Sequence, residues 1–115
     1  MKKTVSLKDN REFILSYKKG KFITGKHLVL YILPNKQSIH RLGITASKKV
    51  GNSVKRNRLK RLIKENFRMV EPLLKEWHKF VFVVRKSEVL PDFYEIKKEI
   101  RYFLRKLDLI DLERK

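Results

Sequence analysis

Apolar positions along this chain change period several times, and each change marks an element. Phe13, Ile14 and Tyr17 recur at helical spacing behind Asp9-Asn10-Arg11-Glu12, an Asp N-cap followed three residues later by Glu, and Gly20 offers a stop. That pattern predicts a helix over 9–19. Phe22-Ile23-Thr24 predicts a short strand that Gly25 breaks. Leu28–Leu33 is apolar at both sets of alternate positions, as in a strand covered on each side or bordering a groove. After turn residues at Pro34–Ser38, Arg41–Ser47 reads as the next strand, in which Gly43 allows a close approach or a bulge. Asn52 or Ser53 caps a second helix that runs to about Met69. Lys79–Arg85 is a buried strand. Pro91 suits the first turn of a last helix, whose apolar stripe is Phe93, Ile96, Ile100, Phe103, Leu104 and Leu107. The predicted order is α-β-β-β-α-β-α, an α+β two-layer α/β sandwich of helices on one small sheet. Neither repeat nor linker interrupts it, so residues 1–115 read as a single domain.

Charge changes the picture from fold to partner. There are 30 Lys and Arg against 12 Asp and Glu, a net charge of +18. Self-repulsion of that size works against a compact fold and points to a polyanionic partner. Residues 1–68 hold 19 basic and 3 acidic side chains, whereas residues 69–115 hold 11 and 9. The front of the chain therefore meets the polyanion, and the back reads as ordinary surface. With no cysteine, disulfides, cysteine zinc sites and a thiol nucleophile are excluded. Met1-Lys2-Lys3-Thr4 is not followed by the apolar stretch of a signal peptide. The apolar runs fall far short of the roughly 20 residues that cross a bilayer.

The second helix gathers the charge. Residues 48–68 contain nine cations and one acid, Glu65. Helical rotation puts Leu59, Leu62, Ile63, Phe67 and Val70 on one face and Asn57, Lys60, Arg61, Lys64 and Arg68 opposite, with Arg58 beside that arc and Arg56 at its border. Burying the apolar stripe aims a ridge of cations outward. Arg can hold two phosphate oxygens at once, and Asn can bond a base edge or a sugar hydroxyl. Such like charges at i,i+4 weaken a helix that has no anionic partner, and a merely solvated face would interleave glutamates. Glu65 fits a pairing along its own helix with Arg61 or Arg68. Asn66 falls inside the apolar arc without a reason visible in the sequence.

Arg41-Leu42-Gly43-Ile44, then Ser47-Lys48-Lys49-Val50-Gly51-Asn52-Ser53-Val54, then Arg56-Asn57-Arg58-Leu59-Lys60-Arg61 together resemble the signature of the bacterial ribonuclease P protein family. Departures are small: Thr45-Ala46 where the family more often shows Ser-Val, and Lys64 where Arg is common. The resemblance implies a parallel pair of strands, Arg41–Ser47 and Lys79–Arg85, joined by the basic helix in a left-handed βαβ crossover, although most such connections are right-handed. It also implies that catalysis belongs to an RNA subunit and the Mg²⁺ it holds, with no catalytic residue and no metal ligand on the protein. Arg56, Asn57, Arg58, Lys60 and Arg61 would then contact the catalytic RNA, and Lys48, Lys49, Asn52, Lys64 and Arg68 complete the candidate RNA-binding set around them. Phe13, Tyr17 and Tyr31 would line a cleft for the single-stranded 5′ leader of precursor tRNA, in the cytoplasm, with neither membrane nor DNA as partner. Aromatic faces suit a leader of variable sequence because stacking is sequence-tolerant. On spacing alone, Phe13 reads as core, and Tyr17 and Tyr31 stay open.

Other classes fit less well. A ribosomal-type structural RNA-binding protein shares the composition, and only the motif string separates it. A helix-turn-helix DNA binder would need a positioning helix before residue 53, where the pattern is that of a strand. A membrane-surface helix would need its apolar face free, and that face has no Trp. His27, His40 and His78 are scattered, and no HxxxH pattern or acidic cluster offers a metal site.

Overall fold

In a computed structural model describing residues 3–110, the chain forms a five-stranded sheet and three α-helices. Met1 and Lys2, part of the start read above for a signal, lie outside the described residues, as do residues 111–115. The elements in chain order are β1 (Thr4–Ser6), α1 (Asn10–Lys19), β2 (Lys21–Thr24), β3 (Leu28–Pro34), β4 (His40–Thr45), α2 (Ser53–Val70), β5 (His78–Val84) and α3 (Phe93–Lys106). Single 3₁₀ turns at Lys48–Val50 and Glu71–Leu73 flank α2. The sheet order is β1-β4-β5-β3-β2. β1 and β5 run parallel to β4, and β2, β3 and β5 pair antiparallel. The expected α+β architecture is present, and α2 joins the parallel pair β4 and β5. Among the described residues no helix is long and apolar enough to cross a membrane.

Four local details differ from expectation. Thr4–Ser6 forms a parallel edge strand that is too short to show alternation in sequence. Asp9 caps α1 by accepting from the Arg11 N–H at 2.9 Å, but no capping box closes there. The reason is that Glu12 reaches across to the Lys79 ammonium of β5, 3.1 Å away. The capping box sits instead on α3, where Asp92 accepts from the Glu95 N–H and Glu95 accepts from the Asp92 N–H. Pro91 consequently lies just before the N-cap rather than in the first turn. In α1 the apolar reading also changes: the fully buried residue is Ser16, while Ile14 and Leu15 are exposed.

One face of the sheet carries the core. Leu28, Leu30 and Ile32 of β3, Leu42 of β4 and Phe80, Phe82 and Val84 of β5 pack against Leu59, Ile63, Phe67 and Val70 of α2 and Ile96, Ile100, Phe103 and Leu104 of α3. The Phe67 ring stands edge-on to Phe80, with centroids 5.0 Å apart. Asn66, unexplained in sequence, donates from its amide to Leu62 O at 3.0 Å and to Phe93 O at 3.3 Å, tying α2 to the start of α3.

A polar cluster fastens β1 to the end of α2. Glu71 is buried and accepts from the Thr4 hydroxyl and from the Lys3 N–H. Beside it, His40 is buried against Trp77, with ring centroids 4.7 Å apart, and its Nδ1 accepts from the His78 N–H at 3.4 Å. Burial lowers the His40 pKa below its ordinary 6.5, His78 and Lys3 act in the same direction, and Glu71 opposes them. A lowered folded pKa means that the unfolded chain takes up the proton first. Stability from this group is thus complete above the ordinary imidazole value and is lost as pH falls through the folded one. Urea unfolding at about pH 7.5 and about pH 5.5, either side of the ordinary imidazole pKa, tests this. We expect the wild-type protein to lose more stability on acidification than His40→Gln; equal losses would remove His40 as the cause.

Candidate nucleic-acid interface

The face of the sheet turned away from the core is built in rows by the strand register. Phe22, Tyr31, Val81 and Gly43 pair in sequence across β2, β3, β5 and β4, and Thr24, Val29, Val83 and Thr45 form the neighbouring row. α1 lies on this face. Its Phe13 ring fits over Gly43 so closely that a Cβ there would stand 2.5 Å from Phe13 Cε1. This close approach is the reason for glycine at that strand position. Tyr17 meets Tyr31 edge-on at 5.0 Å, and Phe22 lies over the other side of Tyr31 at 5.7 Å. The result is an aromatic groove between α1 and the strands. Phe13 and Tyr31 are half-buried, Tyr17 is 40% exposed and Phe22 is 64% exposed. An exposure of 64% for a phenylalanine in a strand is a poor use of a core residue and a good one for a stacking surface.

Phe22 was missed in sequence because its orientation depends on which residue of β3 it opposes. The reading of Phe13 as core from spacing alone is half right. Its ring seals α1 to the sheet and also forms part of the groove wall.

The basic ridge sits on the opposite side of the sheet. Asn52 caps α2, its side chain accepting from the Lys55 N–H at 2.9 Å, so that carbonyl already has a structural task. Asn57, Arg58, Arg61, Lys64 and Arg68 are exposed along the helix, and Lys48 and Lys49 are exposed in the preceding turn. Arg56 and Lys60 are half-buried at the border, where the Arg56 Nε is enclosed without a protein acceptor. Leu62, placed in the apolar stripe by rotation, is half-buried at its edge. Among the described residues the only acid paired with this helix's cations is Glu65, 4.0 Å from Arg68. An exposed pair at that distance neutralises little.

The two surfaces approach each other past the short β1. Phe13, Arg41 and Gly43 from the open side and Lys60, Arg61 and Lys64 from α2 line one groove along the β1–β4 edge. The segment before α2 is β4 and a 3₁₀ turn, so the positioning helix of a helix-turn-helix is missing there.

His27, His40 and His78 are each less than a tenth exposed. His40 and His78 belong to the cluster at Glu71, and His27 Nε2 lies 3.3 Å from Glu95. Among the described residues no three His, Cys, Asp or Glu side chains gather as metal ligands would.

The comparisons with known proteins agree with this geometry. The family model for Ribonuclease P matches residues 1–108. The ribonuclease P protein component of Alkaliphilus metalliredigens is 40% identical over 110 residues, covering 96% of this chain and 99% of the relative. That of Clostridium kluyveri is 41% identical over 105 residues, covering 90% and 94%. Among solved structures, the RNase P protein of Staphylococcus aureus superposes with a TM-score of 0.82 at 31% identity, covering 92% of this chain and 97% of that one. The RNase P protein of Thermotoga maritima gives 0.77 at 28%, covering 89% and 96%. With both its length and its fold matched end to end, the chain belongs to the ribonuclease P protein family.

Proposed function

We propose that this chain binds the catalytic RNA of ribonuclease P through α2 and the 5′ leader of precursor tRNA along the open face of the sheet, thereby promoting endonucleolytic 5′ maturation of tRNA. The observation that carries the reading is one sheet bearing two chemically different surfaces. On α2, closely spaced cations with almost no acidic partner fit the phosphates of a structured RNA, and the Asn57 amide fits a base edge or sugar hydroxyl. In the groove, the Tyr17 and Phe22 rings packed on Tyr31 and a row of aliphatic side chains fit unstacked bases of any sequence.

Each surface acts by position alone. The ridge fixes the protein on the RNA, and the groove then holds the leader beside it, so that the scissile bond is presented in a defined register. Cleavage itself stays with the RNA subunit and the Mg²⁺ it binds. That assignment is what the resemblance of the motif string implies, and the burial of all three histidines supports it. The partners on this reading are the catalytic RNA and precursor tRNA in the cytoplasm, without membrane or DNA.

Two measurements test the reading. Affinity for the catalytic RNA should fall with salt at a log–log slope of roughly −4 to −8, from the number of candidate phosphate contacts. Arg58→Ala and Arg61→Ala should each weaken assembly by about 1–3 kcal/mol. A slope shallower than about −1 would leave the ridge without a role as the main contact. For the groove, Tyr17→Ala and Phe22→Ala should each cost about 1–3 kcal/mol of precursor-tRNA binding per lost stack while mature-tRNA binding and assembly hold. Circular dichroism on each variant separates this from a folding defect, and equal loss of both tRNAs by folded variants would place those rings outside the leader path.

A further inference from the structure

Both acids of α3 are engaged, one at the helix's own cap and one at the β2–β3 loop. Glu95 closes the capping box at Asp92 and places its second oxygen 3.3 Å from His27 Nε2. Glu99 accepts from the His27 and Leu28 N–H groups at 2.7–3.1 Å, clasping the β2–β3 loop. It sits against Gly25 in space that a side chain there would fill. With both carboxylates engaged, the outer side of α3 carries cations only.

Tyr94, Lys98, Arg101 and Arg105 stand at i, i+4, i+7 and i+11, a single stripe along the helix, and Tyr102 lies next to it. Tyr94 is 70% exposed and Tyr102 46%. None of the ion pairs among the described residues uses a cation of α3. The Arg101 Nε is enclosed without a protein acceptor. Like charges at this spacing weaken the helix when no anion is present. Two exposed tyrosines add ring faces, Tyr94 at the first position of the row and Tyr102 beside it. Interleaved cations and aromatic rings are what an unpaired nucleic-acid strand uses: phosphates on the charges, bases on the rings.

The stripe lies on a helix packed directly beside α2. Met69 of α2 is 49% exposed, and it lines a narrow crevice between the helices together with Asn66, Lys97 and Arg101. The cations at this seam, Lys97 and Arg101, belong to α3, and they border α2 directly.

We infer that the outer face of α3, built on Tyr94, Lys98, Arg101, Arg105 and Tyr102, is a second RNA-contact surface that takes an unpaired segment of the same catalytic RNA held by α2. The inference rests on the proposed role of α2, because the packing of α3 beside that helix is what selects the occupant. It assigns an RNA contact to the half of the chain whose net charge is close to neutral.

The test uses the full chain reconstituted with the catalytic RNA. The double variant Lys98→Ala/Arg105→Ala should bind that RNA several-fold more weakly, and its salt slope should be shallower by about 1.4, at about 0.7 per single-strand contact. Lys98→Arg/Arg105→Lys, which keeps the charge, should restore both. A photoreactive phenylalanine analogue in place of Tyr94 should crosslink to unpaired nucleotides of the catalytic RNA. Loss of affinity in the Arg58 variant, together with a wild-type slope in the α3 variant and no crosslink, would overturn the α3 surface and leave the α2 reading standing. Crosslinks confined to precursor tRNA would overturn the choice of occupant. If neither Arg58 nor the α3 cations affect binding, the α2 reading fails first and takes this one with it. The substituted residues other than Tyr94 are charged and face outward, and thermal unfolding of each variant confirms that the helix persists.

Discussion

Everything the surfaces do depends on the apolar seam between α2 and the sheet. Nine cations and one acid in residues 48–68 would not hold a helix by their own interactions, since the cations repel at i,i+4. Leu59, Ile63, Phe67 and Val70 are almost completely buried, with Phe67 standing edge-on to both Phe80 and Phe82. Burying four such side chains is worth roughly 1.5–3 kcal/mol each, which outweighs repulsions of a few tenths of a kcal/mol per exposed pair. The seam also fixes direction. Once those four side chains face Phe80 and Phe82, the arc from Lys64 through Arg61 to Arg58 has to face away from the sheet.

The acids complete the same logic. Glu12 reaches Lys79, Glu71 holds Lys3 and Thr4, Glu95 closes the α3 cap, and Glu99 clasps the loop before β3. Each carboxylate ties an element to a neighbour or caps its own helix rather than screening a basic ridge. The cations are thereby left for an external anion, and the framework supplies the charge asymmetry that composition alone only counts. A near-neutral half of the chain can still present a cationic helix face when its acids are engaged elsewhere, as those of α3 are.

Periodicity made the long elements legible. β3, β5, α2 and α3 declare themselves because their apolar repeats span whole strands or several turns, and the Asn52 and Asp9 caps are where the residue types place them. What escaped was decided by partners distant in sequence. Thr4–Ser6 is a strand only because β4 offers an edge. Glu12 abandons the capping box for a lysine on β5. Asn66 looked misplaced in an apolar arc until Phe93 O supplied an acceptor. The same reason divides the site. The ridge on α2 follows from helical rotation alone, whereas the contribution of Phe22 to the groove depends on the register that sets it opposite Tyr31.

The two surfaces proposed to face RNA are also held with different firmness, and the difference suits what each would bind. α2 is anchored by an apolar stripe along its length and by Asn66 to α3, so its cations stand on a rigid base. α1 has one fully buried residue, Ser16, and is fastened by the Glu12–Lys79 ion pair, the Phe13 ring over Gly43 and the Tyr17–Tyr31 contact. An element with so few buried apolar contacts opens at lower free energy than the core does. A catalytic RNA of one sequence is recognised best by groups that are already in place, because preorganisation removes the cost of ordering them on binding. Leaders differ between tRNAs, and on the proposed reading a groove beside the less deeply anchored helix suits a partner of variable sequence. Charge on the firm helix and rings beside the lighter one, which the proposed function gives to a constant and a variable partner, are thus one arrangement, imposed by a single sheet that packs α2 and α3 on one face and α1 on the other.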